Sequence, residues 1–320
     1  MSELFLTKDD LLAAGALDWD AALADIRDAL ALLRSGEAVM AAENVLPLGP
    51  DPRDKGYGLP ARVGGRFNAA GLKWTLHRAE TPAGGEAITS RTVLNDLGTG
   101  QAMAILDSAM LTRVRTAALS GAIVRALVPG VKRLAVLGAG AQARMHLDMA
   151  LALFPDLRQV HHWTPSGRAL ADNLPEGIAL VAHDTPTAAS LAGEVTFACT
   201  SAPEPFLGPV VMRPGTLLLQ TGYHEVSFDA IDTADAVTCD LWGEFARTSA
   251  KSLFQMYRAG RFAENRVAAD AAAILLDGWR PAPDACIYFS SFGLNIFDIA
   301  FAARLTRRAA DLGLGLTLAP

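Results

Sequence analysis

Apolar positions along this chain follow two alternating rhythms. Over residues 8–36 they fall at helical spacing: Asp9 or Asp10 is the expected cap of a short first helix, and Asp18–Leu33 carries a longer amphipathic one. Residues 46–58, rich in Pro, Gly and Asp, read as a loop. The period then shortens, and Gly71–His77, Glu86–Asn95 and Gln101–Leu106 read as strands, the last two joined by a hairpin turn at Asp96–Gly100. Residues 108–128 read as a long helix. Beyond it, short apolar runs (Leu134–Leu137, Gln159–Trp163, Ile178–Ala182, Val195–Thr200, Gly215–Gln220, Ala236–Cys239) alternate with helical segments such as Pro186–Ala192, and the tail from Phe289 reads as a turn and a C-terminal helix. Strands alternating with helices imply a parallel sheet covered on both faces.

The segment 134–168 carries the most chemistry. Leu134–Leu137 is an apolar run suited to a strand buried on both faces, and Gly138-Ala139-Gly140-Ala141-Gln142-Ala143 follows it at the start of a helix. Gly138 permits the tight turn, Gly140 leaves room for a pyrophosphate, and Ala143 allows close helix–strand packing; Ala141 and Gln142 lie in the same phosphate-facing turn. A helix that opens there aims its N-terminal amides at the phosphates. At the end of the second strand an NAD site usually carries Asp or Glu, but this chain has Thr164, Pro165, Ser166, Gly167 and Arg168. Hydroxyls and a guanidinium suit a 2′-phosphate, which favours NADP, with NAD the alternative. Arg168 is otherwise a solvated residue of the next segment, and Arg144 is a second candidate phosphate contact or an exposed helix residue. Ligands of such sheets bind beyond the carboxyl ends of the strands, so Thr200, Ser201, Thr221, Gly222 and His224 fall on the cofactor side.

Composition narrows the class. The 320 residues suggest about two domains; 51 % are hydrophobic, 19 % are charged, and the net charge is −6. No Lys/Arg block and no interleaving of aromatic with basic residues supports nucleic-acid binding, and no apolar run reaches the ~18–20 residues of a membrane helix. The N-terminal stretch lacks a signal-like apolar core, and Cys199, Cys239 and Cys286 are scattered in apolar settings, so a reducing, cytoplasmic location is expected. No metal site is expected: the cysteines lack zinc spacing, and consecutive His161 and His162 on a strand face opposite ways.

Five local patterns occur in order: Gly71-Leu72-Lys73-Trp74, Asn95–Gly100, Leu111–Ala118, Gly138–Ala143 and Phe292–Asp298. Together they resemble the ornithine cyclodeaminase/μ-crystallin family over roughly residues 20–310. The resemblance implies an α/β fold, a Rossmann-type dinucleotide-binding domain plus a mixed α/β substrate and dimerisation domain. The expected boundaries are 1–118, joined by a C-terminal helix in 291–320, and 119–290. It implies a homodimer and hydride transfer between NAD(P) and the α-carbon of an amino or imino acid. Lys73 matches the family lysine at the active site, Arg115 the arginine that reaches substrate carboxylate or cofactor, and Thr116 follows it as a cofactor contact. Asp298 matches a position expected to cap its segment or close the active-site cleft.

Two departures alter the expected substrate. His224 stands where family cyclodeaminases carry an acid/base aspartate, with Glu225 beside it. The family's substrate arginine falls near residue 44, where this chain has Glu43 and Asn44. Asn44 is then a candidate substrate contact and Arg62 the best local replacement, with Arg53 and Arg66 as further possibilities. A second carboxylate on the substrate would suit these arginines, and a cyclic ketimine would suit Leu72, Trp74 and Met110. An NAD(P)H-dependent reductase or dehydrogenase interconverting an α-imino and an α-amino acid is the leading expectation. A cyclodeaminase of a diamino acid and a non-catalytic NADP-binding protein are the alternatives.

Overall fold

The computed structural model describes residues 3–51, 54–80 and 86–318. It divides into two units, Met1–Arg115 with Leu294–Pro320, and Thr116–Gly293. In chain order the first unit holds β1 (Leu4–Leu6), α1 (Lys8–Ala13), α2 (Trp19–Ser35), β2 (Ala38–Met40), β3 (Asn44–Pro47), β4 (Lys55–Val63), β5 (Ala69–His77), β6 (Ile88–Asp96) and β7 (Ala102–Asp107). Helix α3 (Ala109–Leu127) carries the chain across the boundary. The second unit contains β8 (Arg133–Leu137), α4 (Ala141–Leu153), β9 (Gln159–Trp163), β10 (Ala179–Ala182), α5 (Pro186–Ala192), β11 (Val195–Ala198) and β12 (Leu217–Gln220). It continues through α6 (Phe228–Thr233), β13 (Ala236–Cys239), α7 (Ser252–Arg258), β14 (Val267–Asp270), α8 (Ala271–Leu275) and β15 (Ile287–Ser290). Helix α9 (Asn295–Asp311) and β16 (Leu316–Thr317) return to the first unit.

The first unit is a mixed sheet in the order β16-β1-β7-β6-β5-β4-β2, with β3 also on β4. Its β4–β5–β6–β7 core is antiparallel. Side chains alternate between the two faces, and directly paired residues share a face. Ala61, Gly71 and Leu94 thus lie on one face, which is covered by α9. At Gly71 an added Cβ would meet the Val93 carbonyl oxygen at 2.5 Å and the Ile299 Cδ1 of α9 at 3.0 Å, so only glycine lets the helix come this close. The other face carries Val39, Leu46, Leu72, Trp74 and Val93, all substantially exposed.

Local chemistry differs from the sequence expectation in places. Thr7 caps α1, and Asp10 is its capping-box partner at the third helical position, so neither Asp9 nor Asp10 is the cap. The expected loop at 46–58 contains the end of β3 and the start of β4. Gly56 and Gly58 disguise that strand: a Cβ at Gly56 would sit 2.8 Å from the Trp74 ring, so Gly56 is a slot for an indole rather than a turn residue.

The second unit is an all-parallel sheet in the order β10-β9-β8-β11-β12-β15-β13-β14. Its first five strands run third, second, first, fourth, fifth, with the order reversing between β8 and β11, the core arrangement of a dinucleotide-binding sheet; the last strand of this unit in chain order, β15, comes next, ahead of β13 and β14. Gly138 sits at that reversal. Its φ of +111° and the 2.6 Å that would separate its Cβ from the Cys199 carbonyl oxygen both require glycine.

His146 of α4 is fully buried among these elements, within 2.8 Å of the Ser120 hydroxyl, and burial pushes its pKa down to about 4, partly offset by the Gln142 backbone. The unfolded chain therefore binds this proton from near 6.5 while the folded chain resists until about 4, so stability falls as pH drops through that window. We expect His146 to remove about 3 kcal/mol between pH 6.5 and 4. Urea unfolding at pH 7 and pH 4.5 should show a visibly smaller loss in His146→Gln, and an equal loss in both proteins would exclude His146 as the cause.

Candidate active site

Three segments far apart in sequence meet at one buried carboxylate. Lys73 on β5 lies on the α9-covered face, and its Nζ donates to Asp298 Oδ2 at 2.8 Å and approaches Thr112 Oγ1 at 3.4 Å. Arg115 on α3 donates through Nε to Asp298 Oδ1 at 3.0 Å. Lys73 and Asp298 are each 3 % exposed. Burial pushes the Asp298 carboxyl up, but Arg115 and Lys73 outweigh it and hold the group below its ordinary range. Burial and neighbouring Arg115 lower Lys73 to about 8, against the opposing pull of Asp298 and Glu43. Asp298 is therefore the counter-ion of both cations, and it does not cap its helix, which has no side-chain cap. Two cations share one carboxylate, which leaves one surplus positive charge, and a buried surplus charge calls for an anion.

Beyond the apolar cover of α9 the same face of the sheet turns polar. Lys73 is paired with Thr92, Thr75 with Ser90, and Lys55 with His77 across neighbouring strands. Thr75 Oγ1 and Ser90 Oγ lie 2.8 Å apart, whereas the buried Thr92 hydroxyl has no partner among the described residues. His77 is held below its ordinary pKa by burial and by Lys73 and Lys55.

The expected accessory contacts separate from this cluster. Arg62 pairs with Ala70, one residue out of phase with the Leu59–Lys73 pair, and so lies on the opposite face of the sheet. Its guanidinium donates to the carbonyls of Glu37 and Gly36 at 3.0 and 3.2 Å, closing the end of α2. Asn44 is paired with Gly58 on that same outer face. Neither joins Lys73, because a strand's period of two sends neighbouring residues to opposite sides. Arg66 is ion-paired with Asp25 and Asp28, and Arg53 lies outside the described residues. Leu72 and Trp74 also face outward, so they do not flank Lys73, while Met110 is buried on α3.

In the second unit the glycine turn leads directly into α4, with Gly140 as its N-cap and no side-chain cap. Helices α1, α2, α5, α6 and α8 are each capped by a Thr, Asp or Ser side chain, so the first-turn amides of α4 are left for an anion. Ala141 and Gln142 form that first turn, and Ala143 is buried. Arg144 donates to the carbonyls of Ala139 and, at 3.4 Å, Ala169, linking the glycine turn to the loop after β9. In that loop Thr164 and Ser166 place their hydroxyls 3.5 Å apart, Ser166 Oγ accepts from the Arg168 amide, and Arg168 is exposed. This donor set fits a dinucleotide: free helix amides for the pyrophosphate, hydroxyls and a guanidinium beyond the second strand.

The ends of β11 and β12 are joined by Glu225, which is fully buried. Its Oε1 accepts from the Thr200 amide and hydroxyl at 2.9 and 3.1 Å, and its Oε2 from Gln220 Nε2 at 2.7 Å. Burial raises its pKa, opposed by Gln220 and Lys251. Ser201 is exposed next to Thr200, and the Thr116 carbonyl accepts from Ser120 on α3. His224 places Nδ1 3.0 Å from Ser252 Oγ, which also accepts from Gln220 Nε2 and the Val226 amide. Both other partners of that hydroxyl are donors, so its proton goes to His224 Nδ1. His224 is thereby the Nε2–H tautomer, and burial lowers its pKa against the opposing effect of Glu204. Ser252 and Gln220 went unread in the sequence, since a serine opening a short helix and a glutamine ending a strand carry no motif.

A dinucleotide-binding sheet in one unit and a buried Lys–Asp–Arg cluster in the other define a class of two-unit nucleotide-dependent proteins. The chain belongs to the ornithine cyclodeaminase/mu-crystallin family, whose model matches residues 14–311. It is 23 % identical to N-((2S)-2-amino-2-carboxyethyl)-L-glutamate dehydrogenase of Staphylococcus aureus over 98 % of both chains. It is 26 % identical to an NAD(P)H-dependent anabolic L-arginine dehydrogenase of Pseudomonas aeruginosa, over 70 % of this chain and 73 % of that protein. Its fold is similar to Thermococcus litoralis Δ(1)-pyrroline-2-carboxylate reductase, solved with NADH and L-proline. There the TM-score is 0.88 at 20 % identity, covering 98 % of this chain and 100 % of the other.

The Ser252–His224 contact generates a spectroscopic expectation. Nitrogen-15 NMR of His224 should show the Nε2–H tautomer, and Ser252→Ala should raise its pKa, because the hydroxyl favours the neutral ring. An Nδ1–H tautomer in the unaltered protein would contradict the assignment.

Proposed function

We propose that this protein is an NADPH-dependent reductase that converts an α-imino acid to the α-amino acid, and runs the reverse dehydrogenation. The observation that carries the reading is the surplus positive charge of Lys73 and Arg115 over Asp298, a ready seat for the α-carboxylate. The relatives and structural neighbours named above, acting on amino or imino acids, support it. The Gly138–Ala143 turn and the uncapped first turn of α4 would hold a nicotinamide dinucleotide, which would supply or take a hydride. Arg115 donates to the substrate carboxylate from terminal nitrogens not used on Asp298. Lys73, with a pKa near 8, holds that carboxylate and gives a proton to the nitrogen. Orientation and fixed charge supply most of the rate enhancement.

Thr164, Ser166 and Arg168, with no carboxylate among them, favour NADPH over NADH. The outward apolar residues Val39, Leu46, Leu72, Trp74 and Val93 suit cover by a second copy, giving a homodimer through the first unit. No helix among the described residues is long and apolar enough to cross a membrane, and the three free buried cysteines suit the reducing cytoplasm.

Absorbance at 340 nm tests the reading, with NADPH or NADH against 2-oxo acids plus ammonia or methylamine, and against cyclic imino acids. We expect oxidation of NADPH with one imine class, and Arg168→Ala should cut the NADPH-over-NADH preference about tenfold. Tight NADPH binding without oxidation by any imine would sink the reductase reading, and ammonia release from diamino acids would then mark a cyclodeaminase.

A pH profile tests Lys73. We expect kcat/KM to fall as pH rises through about 8, where the lysine loses its proton. Asp298→Asn removes the charge that favours the ammonium, so the fall should move to lower pH and kcat/KM should drop about 100-fold. An alkaline limb that stays in place would remove Lys73 from the step.

A further inference from the structure

Strand β9 lies between β10 and β8 in the parallel sheet, where an apolar strand is expected, yet it carries the buried His161 and His162. Their rings take opposite faces. His161 sets Nδ1 2.9 Å from Nε2 of His183, just after β10. His162 is paired with Val136, and Val136 with Phe197, so the three share the face on which His146 of α4 packs against Phe197. The His162 Nδ1 lies 3.2 Å from the Val136 carbonyl oxygen, and its Nε2 lies 3.1 Å from the Arg168 carbonyl oxygen. Both oxygens only accept. A neutral imidazole has one N–H and one lone pair, so it would satisfy one carbonyl and turn a lone pair on the other; the imidazolium donates to both. The titratable groups around it are few. On α4 they are Arg144, His146, whose burial holds it near 4, and Asp148, which burial raises against Arg144. Strand β8 has Arg133 at its far end, and β10 has no titratable residue. On the opposite face His161 is held below its ordinary pKa by burial, His183 and Arg133.

The second of these carbonyls belongs to the loop that chooses the cofactor. The Gly167 amide donates to the Thr164 carbonyl at 3.2 Å, and the Arg168 amide to Ser166 Oγ at 3.4 Å. The next carbonyl along, that of Ala169, accepts from Arg144 at 3.4 Å. Two cationic side chains thus reach successive carbonyls, and the backbone of Arg168 is tied on both sides while its side chain is exposed. We propose that His162 is a positioning residue for cofactor choice: its imidazolium fastens the Arg168 carbonyl and so fixes the stem from which the guanidinium meets the 2′-phosphate of NADP(H). The inference rests on the NADPH reading of the Thr164–Arg168 loop and names the buried group that sets that loop. A guanidinium carried on a loose loop would lose ordering entropy on binding, and a backbone held in advance avoids that loss. NAD(H) has a hydroxyl in place of the phosphate and gains nothing from the latch.

The test pairs calorimetric titration with NADP⁺ and NAD⁺ with nitrogen-15 NMR of His162 in the NADP⁺ complex at pH 7. We expect both ring nitrogens to carry protons in that complex, a signature that a merely space-filling histidine would not give. His162→Val should weaken NADP⁺ about tenfold and leave NAD⁺ within about twofold, so that NAD⁺ binding also reports an intact fold. Arg168→Ala should lose the same preference, and adding His162→Val to it should cost nothing more, because the latch acts through Arg168. A ring with a single proton in the NADP⁺ complex overturns the proposal, and that reading needs no variant. Equal weakening of NADP⁺ and NAD⁺ in His162→Val overturns it as well, since His162 would then support the sheet alone. A preference for NADP⁺ that is lost in Arg168→Ala but kept in His162→Val overturns this proposal and keeps the NADPH reading. Equal affinity for the two dinucleotides in the unaltered protein overturns both.

Discussion

One carboxylate serving two buried cations is the constraint on which the first unit turns. Asp298 comes from the C-terminal helix, Lys73 from a central strand and Arg115 from the helix that crosses to the second unit. Each cation would be costly to bury alone, and Asp298 offsets only part of that cost. Lys73 shows the remainder: its folded pKa of about 8 is below the ordinary 10.5. Over that range the unfolded chain binds more protons than the folded one, so this group's contribution to stability improves as pH rises from 8 to 10.5. At neutral pH the fold tolerates an under-compensated ammonium, a strained electrostatic state that a bound anion relieves.

The close approach of α9 makes this arrangement geometrically feasible. Gly71 and Lys73 share a face of β5, and the missing Cβ at Gly71 lets Ile299 settle against the strand, next in sequence to Asp298. The second unit uses the same device at its own working edge. A Cβ at Gly222 would fall 1.6 Å from Glu225 Oε1 and 2.2 Å from the Thr200 carbonyl oxygen. Glu225 can clamp the ends of β11 and β12 only because residue 222 has no side chain.

Much of the dinucleotide unit was legible because its chemistry is local. The strand, glycine turn, helix and second strand lie within residues 133–163, and β9, α5 and β13 have the bounds expected for them. Strand β15 was hidden: four buried residues, Ile287–Ser290, inserted between β12 and β13 after a long excursion, have no local periodicity to announce them. The site of the first unit was half legible. Lys73 and Arg115 could be named from motif, but their shared counter-ion lies 225 and 183 residues away, a pairing that spacing cannot reveal. Arg62 and Asn44 were misplaced for a simpler reason. With the start of β4 read as loop and no strand assigned over β3 or at Arg62, there was no strand phase to say which face these residues take, and the sheet sends them away from Lys73.

The glycine slot under Trp74 has a consequence for how the chain finds its fold. Strand β5 presents Lys73 to one side and Trp74 to the other, so pairing with β4 offset by a single residue would exchange a buried ammonium for an indole on both surfaces at once. Gly56 admits the Trp74 ring only in the native alignment; shifted by one, the bulk of Tyr57 would stand where the ring must lie. The indole acts as a key cut for one lock, an error check made during assembly. The outer surface of the sheet thus guards the alignment of the inner one, and fidelity of the charged cluster is inspected from the side that never touches it.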